Sequence, residues 1–151
     1  MFTLVPSNFF NPAQERQALA EVAELREGEE VRHLEIPQYN AVLIYSVDEG
    51  GVDNYPEIYK VLEKLKDSPE YNRIVCSFKN GELNIAVAQG NTLMLANSFK
   101  AKDFISAEYY IFLTVKSLQI NPEVSTICWV SNLDDEDEMS LYRYFKAVVR
   151  L

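Results

Sequence analysis

The turn Ser77-Phe78-Lys79-Asn80-Gly81 is the clearest place where residue types and spacing could do chemistry. It follows an apolar strand, and a tight turn of this kind can present backbone N–H groups to a phosphate. Phosphate-binding turns of this kind have the pattern Asp-x-Gly, and here Ser77 and Lys79 replace the Asp and the Gly. Lys79 could meet a phosphate as a point charge, but Phe78 and Lys79 obstruct close approach of the backbone. Ser77, Lys79 and Gly81 are therefore candidate nucleotide-binding residues, and an ordinary surface turn is the favoured interpretation.

Carboxylates are not arranged for metal-dependent hydrolysis. A two-metal nuclease holds its ions with carboxylates from several elements, and the strand over residues 73–78 contains none. Glu108 and Asp134 would supply two of the three carboxylates that such a nuclease needs, and two do not make a metal site. The run Asp134–Glu138 lacks the central Gly and distal Glu of a calcium loop. It is typical of the first turn of a helix, and an acidic patch for a basic partner is the alternative.

The remaining reactive residue types are isolated from one another. His33 is the only histidine, and neither a nucleophile nor soft metal ligands lie near it in the sequence, so we expect a half-exposed strand histidine. Cys76 and Cys128 lie at the centres of apolar strands and form no Cys-x-x-Cys pair. We therefore predict no catalytic residue, no metal site and no bound cofactor.

Composition narrows the class of protein. The 151 residues are 48% hydrophobic, which favours a packed core over disorder. The net charge of −9 disfavours binding to nucleic acid or to anionic lipid. No apolar run approaches the length of a membrane span, and no signal peptide is recognisable, so a cytoplasmic protein is expected.

The first lobe is predicted over residues 1–66 with the order β-α-β-β-α. Its strands are expected at residues 2–5, 31–36 and 41–47, and a flexible loop at residues 48–53. Asn11-Pro12 is a helix start, and helices are expected over Pro12–Glu24 and Pro56–Leu65 on one face of the sheet. The predicted core is Leu19, Val22, Val42 or Leu43, Ile44, Val61, Leu62 and Leu65.

The second lobe is predicted over residues 71–151 with the order β-β-β-α-β-α. Three strands joined by tight turns form an antiparallel meander, with a hairpin signal at Asn80-Gly81. A helix over 103–119, a buried strand over 125–130 and a helix from 134 to about 148 follow. This order is that of a ribonuclease-H-like fold, in which a right-handed crossover places the fourth strand parallel to the first. Cys76 and Cys128 should then lie on neighbouring strands, reduced, at the sheet centre.

Three stretches of the chain carry a family resemblance. They are Phe2–Phe10, Leu95–Phe99 and Asp103–Glu123 with its Tyr109-Tyr110 and Asn121-Pro122-Glu123. The chain resembles, over essentially its whole length, a bacterial family of unknown function described as a candidate actin-like ATPase of cell division. The resemblance implies an actin-like fold, in which residues 1–66 form a small lobe and residues 71–151 most of the second half.

The resemblance also implies a longer protein. Family members carry a further amino-terminal region before the Phe2 stretch, and both ends of this chain read as strands, so we expect a fragment. Two functions remain open. The first is a non-catalytic interaction or scaffold module with a degenerate actin-like fold. The second is an ATPase of cell division or envelope assembly, with ATP and magnesium as cofactors, whose site the missing half completes.

The helix over residues 103–119 carries more apolar residues than one face needs. The residues expected to face its own sheet are Phe104, Ile105, Ile111, Phe112, Val115 and Leu118. Tyr109, Tyr110 and Leu113 fall outside that stripe, so they need a second cover. The final helix, through Tyr142 and Phe145, is one expected cover. The alternative is a partner, either the missing amino-terminal half or a second copy, which makes these three residues candidate partner-binding residues.

Overall fold

The structure, a computed structural model, describes residues 1–47 and 55–151. The flexible loop expected over residues 48–53 lies outside this part of the chain. Packing divides the chain into two compact units, Met1–Pro56 and Glu57–Leu151. Both units combine a sheet with helices, so the protein is a mixed α and β protein with two sheets.

The first unit contains a three-stranded antiparallel sheet. Its strands are β1 (Phe2–Pro6), β2 (Glu30–Ile36) and β3 (Ala41–Val47), in the order β1-β3-β2. The helix α1 (Glu15–Ala20) lies against β2 and β3. Its Leu19 forms a small core with Val42 and Ile44 of β3. The three predicted strands of the first lobe are therefore confirmed.

The first helix is shorter than the sequence indicated. Pro12–Gln14 form a 3₁₀ turn, capped by the Asn11 side chain, which accepts a hydrogen bond from the Ala13 N–H. The α-helix then ends at Ala20 instead of Glu24. Beyond Ala20 the chain continues in a tighter turn, where the Val22 N–H donates to the Leu19 carbonyl three residues back. Val22 is 64% exposed there and does not share the buried side of Leu19. The prediction of Val22 as a core residue was wrong.

The second unit contains a five-stranded mixed sheet with the order β6-β5-β4-β7-β8. The strands are β4 (Asn72–Lys79), β5 (Glu82–Gln89), β6 (Thr92–Lys100), β7 (Thr126–Trp129) and β8 (Ala147–Arg150). β4, β5 and β6 form the expected antiparallel meander, whereas β7 pairs in parallel with both β4 and β8. The final helix expected to reach residue 148 ends at Tyr142, and β8 follows it.

The central pairing of this sheet places the two cysteines as predicted. β4 and β7 pair in parallel, with Val75 opposite Cys128 and Cys76 opposite Trp129. Both cysteines are free and buried. The expectation that they lie reduced on neighbouring parallel strands is confirmed.

Helices cover both faces of the second sheet. They are α2 (Glu57–Lys64), α3 (Phe104–Ser117) and α4 (Asp135–Tyr142). Ile74 and Cys76 pack in one core with Ile111 and Val115 of α3. Ser77 points to the other face of the sheet, since side chains alternate along a strand, and its hydroxyl contacts α2.

The division into units differs from the sequence-based lobes in the position of α2. The sequence assigned this helix to a lobe ending at residue 66, whereas the structure places it in the unit that begins at Glu57. α2 packs against β4 and β5, and Val61, Leu62 and Leu65 are fully buried. Their burial was predicted, but their place in the core of the first lobe was wrong. None of the helices in the described part of the chain is long and apolar enough to cross a membrane.

The buried thiols generate the first testable prediction. Burial raises the pKa of both cysteine thiols, and each thiol also lies near a second ionisable group, Cys128 for Cys76 and Glu70 for Cys128. Because the thiolate is the reactive form, native protein should react with a disulfide reagent only as fast as it unfolds. Both thiols should react at once in guanidinium, which absorbance of the released thiolate measures.

A control for this measurement is the Lys66→Cys variant, which adds one thiol at a surface position. Its extra thiol should react rapidly in the native state, while the two buried thiols stay protected. Rapid native labelling of Cys76 or Cys128 would contradict their placement at the centre of the sheet.

Candidate functional site

The hairpin between β4 and β5 is closed by only two residues. Lys79 pairs with Glu82, which leaves Asn80 and Gly81 in the turn, with φ angles of 53° and 73°. This is the asparagine-glycine turn that favours two-residue hairpins. The Gly81 carbonyl accepts a hydrogen bond of 2.9 Å from the Ala101 N–H. Gly81 thus serves the turn itself, and the turn has no long loop of free N–H groups to surround a phosphate.

The side chains of Ser77 and Lys79 are bound to a residue that sequence reasoning did not select. Glu57, in the first turn of α2, accepts a hydrogen bond from the Ser77 hydroxyl at 2.7 Å. Its other carboxylate oxygen lies 3.2 Å from the Lys79 ammonium and 3.4 Å from that of Lys60. The Glu57 side chain is only 16% exposed. We call Glu57, Lys60, Ser77 and Lys79 the Glu57 cluster.

The electrostatics of the Glu57 cluster favour the ionised carboxylate. Burial by itself raises the pKa of Glu57, but the hydrogen bonds from Ser77 and Lys79 lower it. The positive charges of Lys60 and Lys79 lower it further, and the net result is a pKa below the ordinary value. The Ser77 hydroxyl and the Lys79 ammonium, the two candidate phosphate-binding groups, therefore already bind the Glu57 carboxylate of the same chain.

The backbone at the end of β4 is also occupied. The Phe78 N–H donates to the Ser131 hydroxyl at 2.9 Å, and this hydroxyl donates to the Phe78 carbonyl at 3.2 Å. Ser131 follows β7, so the bond joins the ends of two neighbouring parallel strands. Neither Glu57 nor Ser131 stands in a local motif with the hairpin. The parallel pairing of β4 with β7 brings Ser131 to the hairpin, and the packing of α2 on the sheet brings Glu57 there.

The carboxylates considered for metal binding are used in other ways. Glu108 is buried on α3 and accepts a hydrogen bond of 2.8 Å from the Ser140 hydroxyl of α4. Asp134 caps α4 by accepting from the Asp137 N–H at 2.8 Å, as expected for an acid at a helix start. Within residues 1–47 and 55–151, no group of three or more His, Cys, Asp and Glu residues could hold a metal ion.

His33 lies on β2 in the first unit and is part-exposed, as predicted. Its Nδ1 is 2.6 Å from a carboxylate oxygen of Glu15, and its ring lies 4.8 Å from the Phe10 ring, centroid to centroid. This arrangement joins α1 to the sheet and brings no nucleophile to the imidazole.

The outward face of α3 is apolar. Ile105, Tyr109 and Leu113, spaced by four residues, are 78%, 59% and 43% exposed. We call these three residues the α3 stripe. The assignment of Ile105 to the sheet side was wrong, because the helix turns that position toward solvent. Tyr109 and Leu113 are exposed as the apolar excess indicated, and Tyr110 stacks on Phe99 with a centroid distance of 4.7 Å.

The segment after α4 covers one flank of α3 only. Phe112 meets the Tyr144 ring edge-on at 4.6 Å and the Phe145 ring at 6.2 Å. Tyr142 does not cover α3 in this way: its hydroxyl donates to the Val148 carbonyl at 3.2 Å, and half of the Tyr142 surface is exposed. The final segment therefore buries the Phe112 side and leaves the α3 stripe open.

An acidic cleft lies at the amino-terminal end of α3. Its volume is about 410 Å³, and the residues that line it are Asp103, Phe104, Ile105, Glu136, Asp137, Ser140 and Arg143. Burial raises the pKa of Asp137, and the neighbouring carboxylates of Asp134, Glu136 and Glu108 raise it further. The cleft thus concentrates negative charge beside the first residue of the α3 stripe.

Comparison with known proteins identifies the family. A family model described as "Protein of unknown function (DUF3822)" matches residues 1–148. The chain belongs to this family. No curated protein matches the DUF3822 chain.

A solved structure from Bacteroides thetaiotaomicron VPI-5482 is similar to the DUF3822 chain along almost its whole length. It is described as a protein with an actin-like ATPase fold and unknown function. The two share 22% sequence identity and superpose with a TM-score of 0.80 over 99% of this chain. The match spans 64% of the other chain. The likeness shows the actin-like ATPase fold, as the resemblance implied, whereas the role in cell division and the fragment status stay predictions.

The Glu57 cluster generates the second prediction. Replacement Glu57→Gln keeps the size of the side chain but removes its charge, so it should lower the free energy of unfolding near neutral pH by about 1–2 kcal/mol. Because the folded-state pKa of Glu57 is lowered, its ionisation stabilises the protein above the unfolded-state pKa. That stabilisation is lost as the pH falls through the folded-state pKa, so the two proteins should converge in acid.

Urea unfolding at a series of pH values measures this difference. Glu63→Gln is the matched control, since Glu63 lies on the same helix in a more exposed pair with Lys66, 3.8 Å apart. Its effect should stay below about 0.5 kcal/mol at every pH. An effect of Glu57→Gln that is equally large in acid would show that the charge is not responsible.

Proposed function

We propose that this DUF3822 chain is a non-catalytic protein-interaction or scaffold module, which keeps an actin-like fold and lacks nucleotide chemistry. The observation that carries the proposal is the α3 stripe. The other side of the helix is already covered by its own sheet, through Ile111 and Val115. The three apolar side chains on the outward side keep between 43% and 78% of their surface exposed, so the fold of the second unit covers them only in part.

An exposed stripe of this kind favours a binding role over a purely structural one. Apolar surface in water is unfavourable by about 25 cal/mol per Å² relative to buried surface. Contiguous apolar patches on proteins usually mark an interface for another molecule. Ile105, Tyr109 and Leu113 are the residues that we propose for partner contact. Tyr110, which was also expected there, is covered in part by Phe99. Tyrosine is also among the residue types most enriched in protein interfaces.

The Glu57 cluster supports the non-catalytic part of the proposal. A phosphate at the hairpin would meet the ionised Glu57 carboxylate, which already binds the Ser77 hydroxyl and the Lys79 ammonium. Displacing that carboxylate would cost its hydrogen bonds and would leave a partly buried charge without partners. We therefore expect no ATP and no magnesium ion to bind at Ser77, Lys79 and Gly81.

The alternative is a nucleotide-binding ATPase. The likeness to a structure described as having an actin-like ATPase fold favours it, and so does the part of that structure which this chain does not span. Under this alternative, ATP and magnesium bind to a site that another region of the protein completes. A role in cell division or envelope assembly would accompany it.

Calorimetry decides between these two functions. ATP with magnesium is titrated into the intact protein as its host produces it, so that every region of the chain is present. We expect no heat of binding up to high micromolar protein. Micromolar affinity would contradict the non-catalytic proposal.

The variants Lys79→Ala and Lys66→Ala serve as the matched pair for this titration. Both remove one lysine from the second unit, but only Lys79 belongs to the Glu57 cluster. If ATP binds the wild type and Lys79→Ala alone abolishes binding, the nucleotide lies at the hairpin and the ATPase alternative holds.

A further inference from the structure

We propose that the partner of the α3 stripe is a second copy of this chain, whose own α3 packs against the first in antiparallel orientation. This inference rests on the proposed interaction role and names its partner. In such a dimer a two-fold axis passes near Tyr109, and both copies use the same surface, as in most homodimers.

The spacing of the stripe suits this symmetry. Ile105 and Leu113 lie four residues before and after Tyr109, so they are equivalent about the axis. In the antiparallel pair, Ile105 of one copy meets Leu113 of the other, and the two Tyr109 rings meet at the centre. The contacts of Ile105 with Leu113 then join apolar groups. At the centre the Tyr109 rings supply apolar contact area, and each ring carries a hydroxyl that needs a hydrogen-bond partner or water.

Charges at the two ends of α3 determine the orientation. The acidic cleft with Asp103, Glu136 and Asp137 lies at the amino-terminal end. Lys116 lies on the outward face near the carboxyl-terminal end, three residues after Leu113. It is about 16 Å from Ile105 along the helix, given a rise of 1.5 Å per residue, so it cannot reach its own cleft.

Antiparallel packing brings unlike charges together. It places Lys116 of the second copy beside the acidic cleft of the first, and the reverse pair forms at the other end of the interface. A parallel pair would instead place cleft beside cleft and Lys116 beside Lys116. Like charges in register disfavour that arrangement.

Two basic residues act against this attraction but do not outweigh it. Lys102 precedes α3, and Arg143 lines the cleft itself. The carboxylates of Asp103, Glu136 and Asp137 exceed them in number, and Asp134 and Glu108 add to the negative field that raises the pKa of Asp137. A cation supplied by a second copy would reduce the electrostatic repulsion among these carboxylates.

Light scattering and sedimentation equilibrium at physiological salt test the dimer. We expect the wild type to change from monomer to dimer over the micromolar range, because α3 of 14 residues offers only a small interface. The polar variant Leu113→Gln should raise the dimer dissociation constant about tenfold or more, since it sits within the contact.

A charge exchange tests the orientation. Lys116→Glu alone and the pair Glu136→Lys with Asp137→Lys should each weaken the dimer. Combining all three substitutions in one chain should restore it, because each altered cleft then meets the altered position 116 of the other copy. Lys66→Glu is the matched control for Lys116→Glu, since it makes the same change of charge on the opposite face of the sheet. It should leave the dissociation constant within about twofold.

Several results would overturn the proposal. A monomer at high micromolar concentration would exclude the second copy and leave the stripe to another region of the protein or to another partner. A dimer insensitive to Leu113→Gln would place the contact elsewhere. Equal effects of Lys116→Glu and Lys66→Glu, or failure of the combined variant to recover, would exclude the charge-directed antiparallel pair. Thermal unfolding of every variant, followed by circular dichroism, distinguishes these outcomes from misfolding.

Discussion

The parallel pairing of β4 with β7 is the interaction on which the rest of the second unit depends. It makes β4 a central strand, antiparallel to β5 on one edge and parallel to β7 on the other. A shift of one residue along a strand exchanges its two faces, so this register fixes what each side chain meets. Cys76 is directed to the core with α3, and Ser77 to α2. The Ser131 hydroxyl then joins the end of β4 to the segment that follows β7.

The Glu57 cluster follows from that register. A hydroxyl and an ammonium at the end of a strand are groups that could bind a phosphate, and here a carboxylate of the same chain takes the position of the anion. The carboxylate is partly buried, so its interactions with Ser77 and Lys79 are screened less than those of a surface pair. A ligand phosphate would have to compete with a group that is tethered in place. The same residues that look chemical in the sequence therefore act to hold α2 on the sheet.

The sequence predicted most of the elements, which depend on local patterns, and one non-local feature, the parallel pairing of β7 with β4. Apolar alternation, the Asn80-Gly81 turn and the handedness of crossovers were enough to place Cys76 beside the β7 strand. The burial of Val61, Leu62 and Leu65 was also predictable, but a helical stripe does not indicate which sheet covers it. Glu57 could not be found, since Ser77 and Lys79 are 20 or more residues away from it and meet it only through packing. The predicted burial of Val22 was wrong for a local reason, because nothing in the sequence marked the early end of α1 at Ala20.

The outward face of α3 shows how apolar and charged groups divide their roles. The hydrophobic effect is not directional, so Ile105, Tyr109 and Leu113 could be covered by any apolar surface of matching shape. Charges supply the direction that the stripe lacks. Asp103 caps the amino-terminal end of α3, Glu136 and Asp137 of α4 lie beside it in the acidic cleft, and Lys116 is in the last turn. Acids are favourable at the positive amino-terminal end of a helix dipole, and a lysine is favourable at the negative carboxyl-terminal end. A helix that is capped in this way for its own stability has opposite charges at its two ends. For that reason an antiparallel copy of the same helix is electrostatically complementary to it, whereas a parallel copy is not.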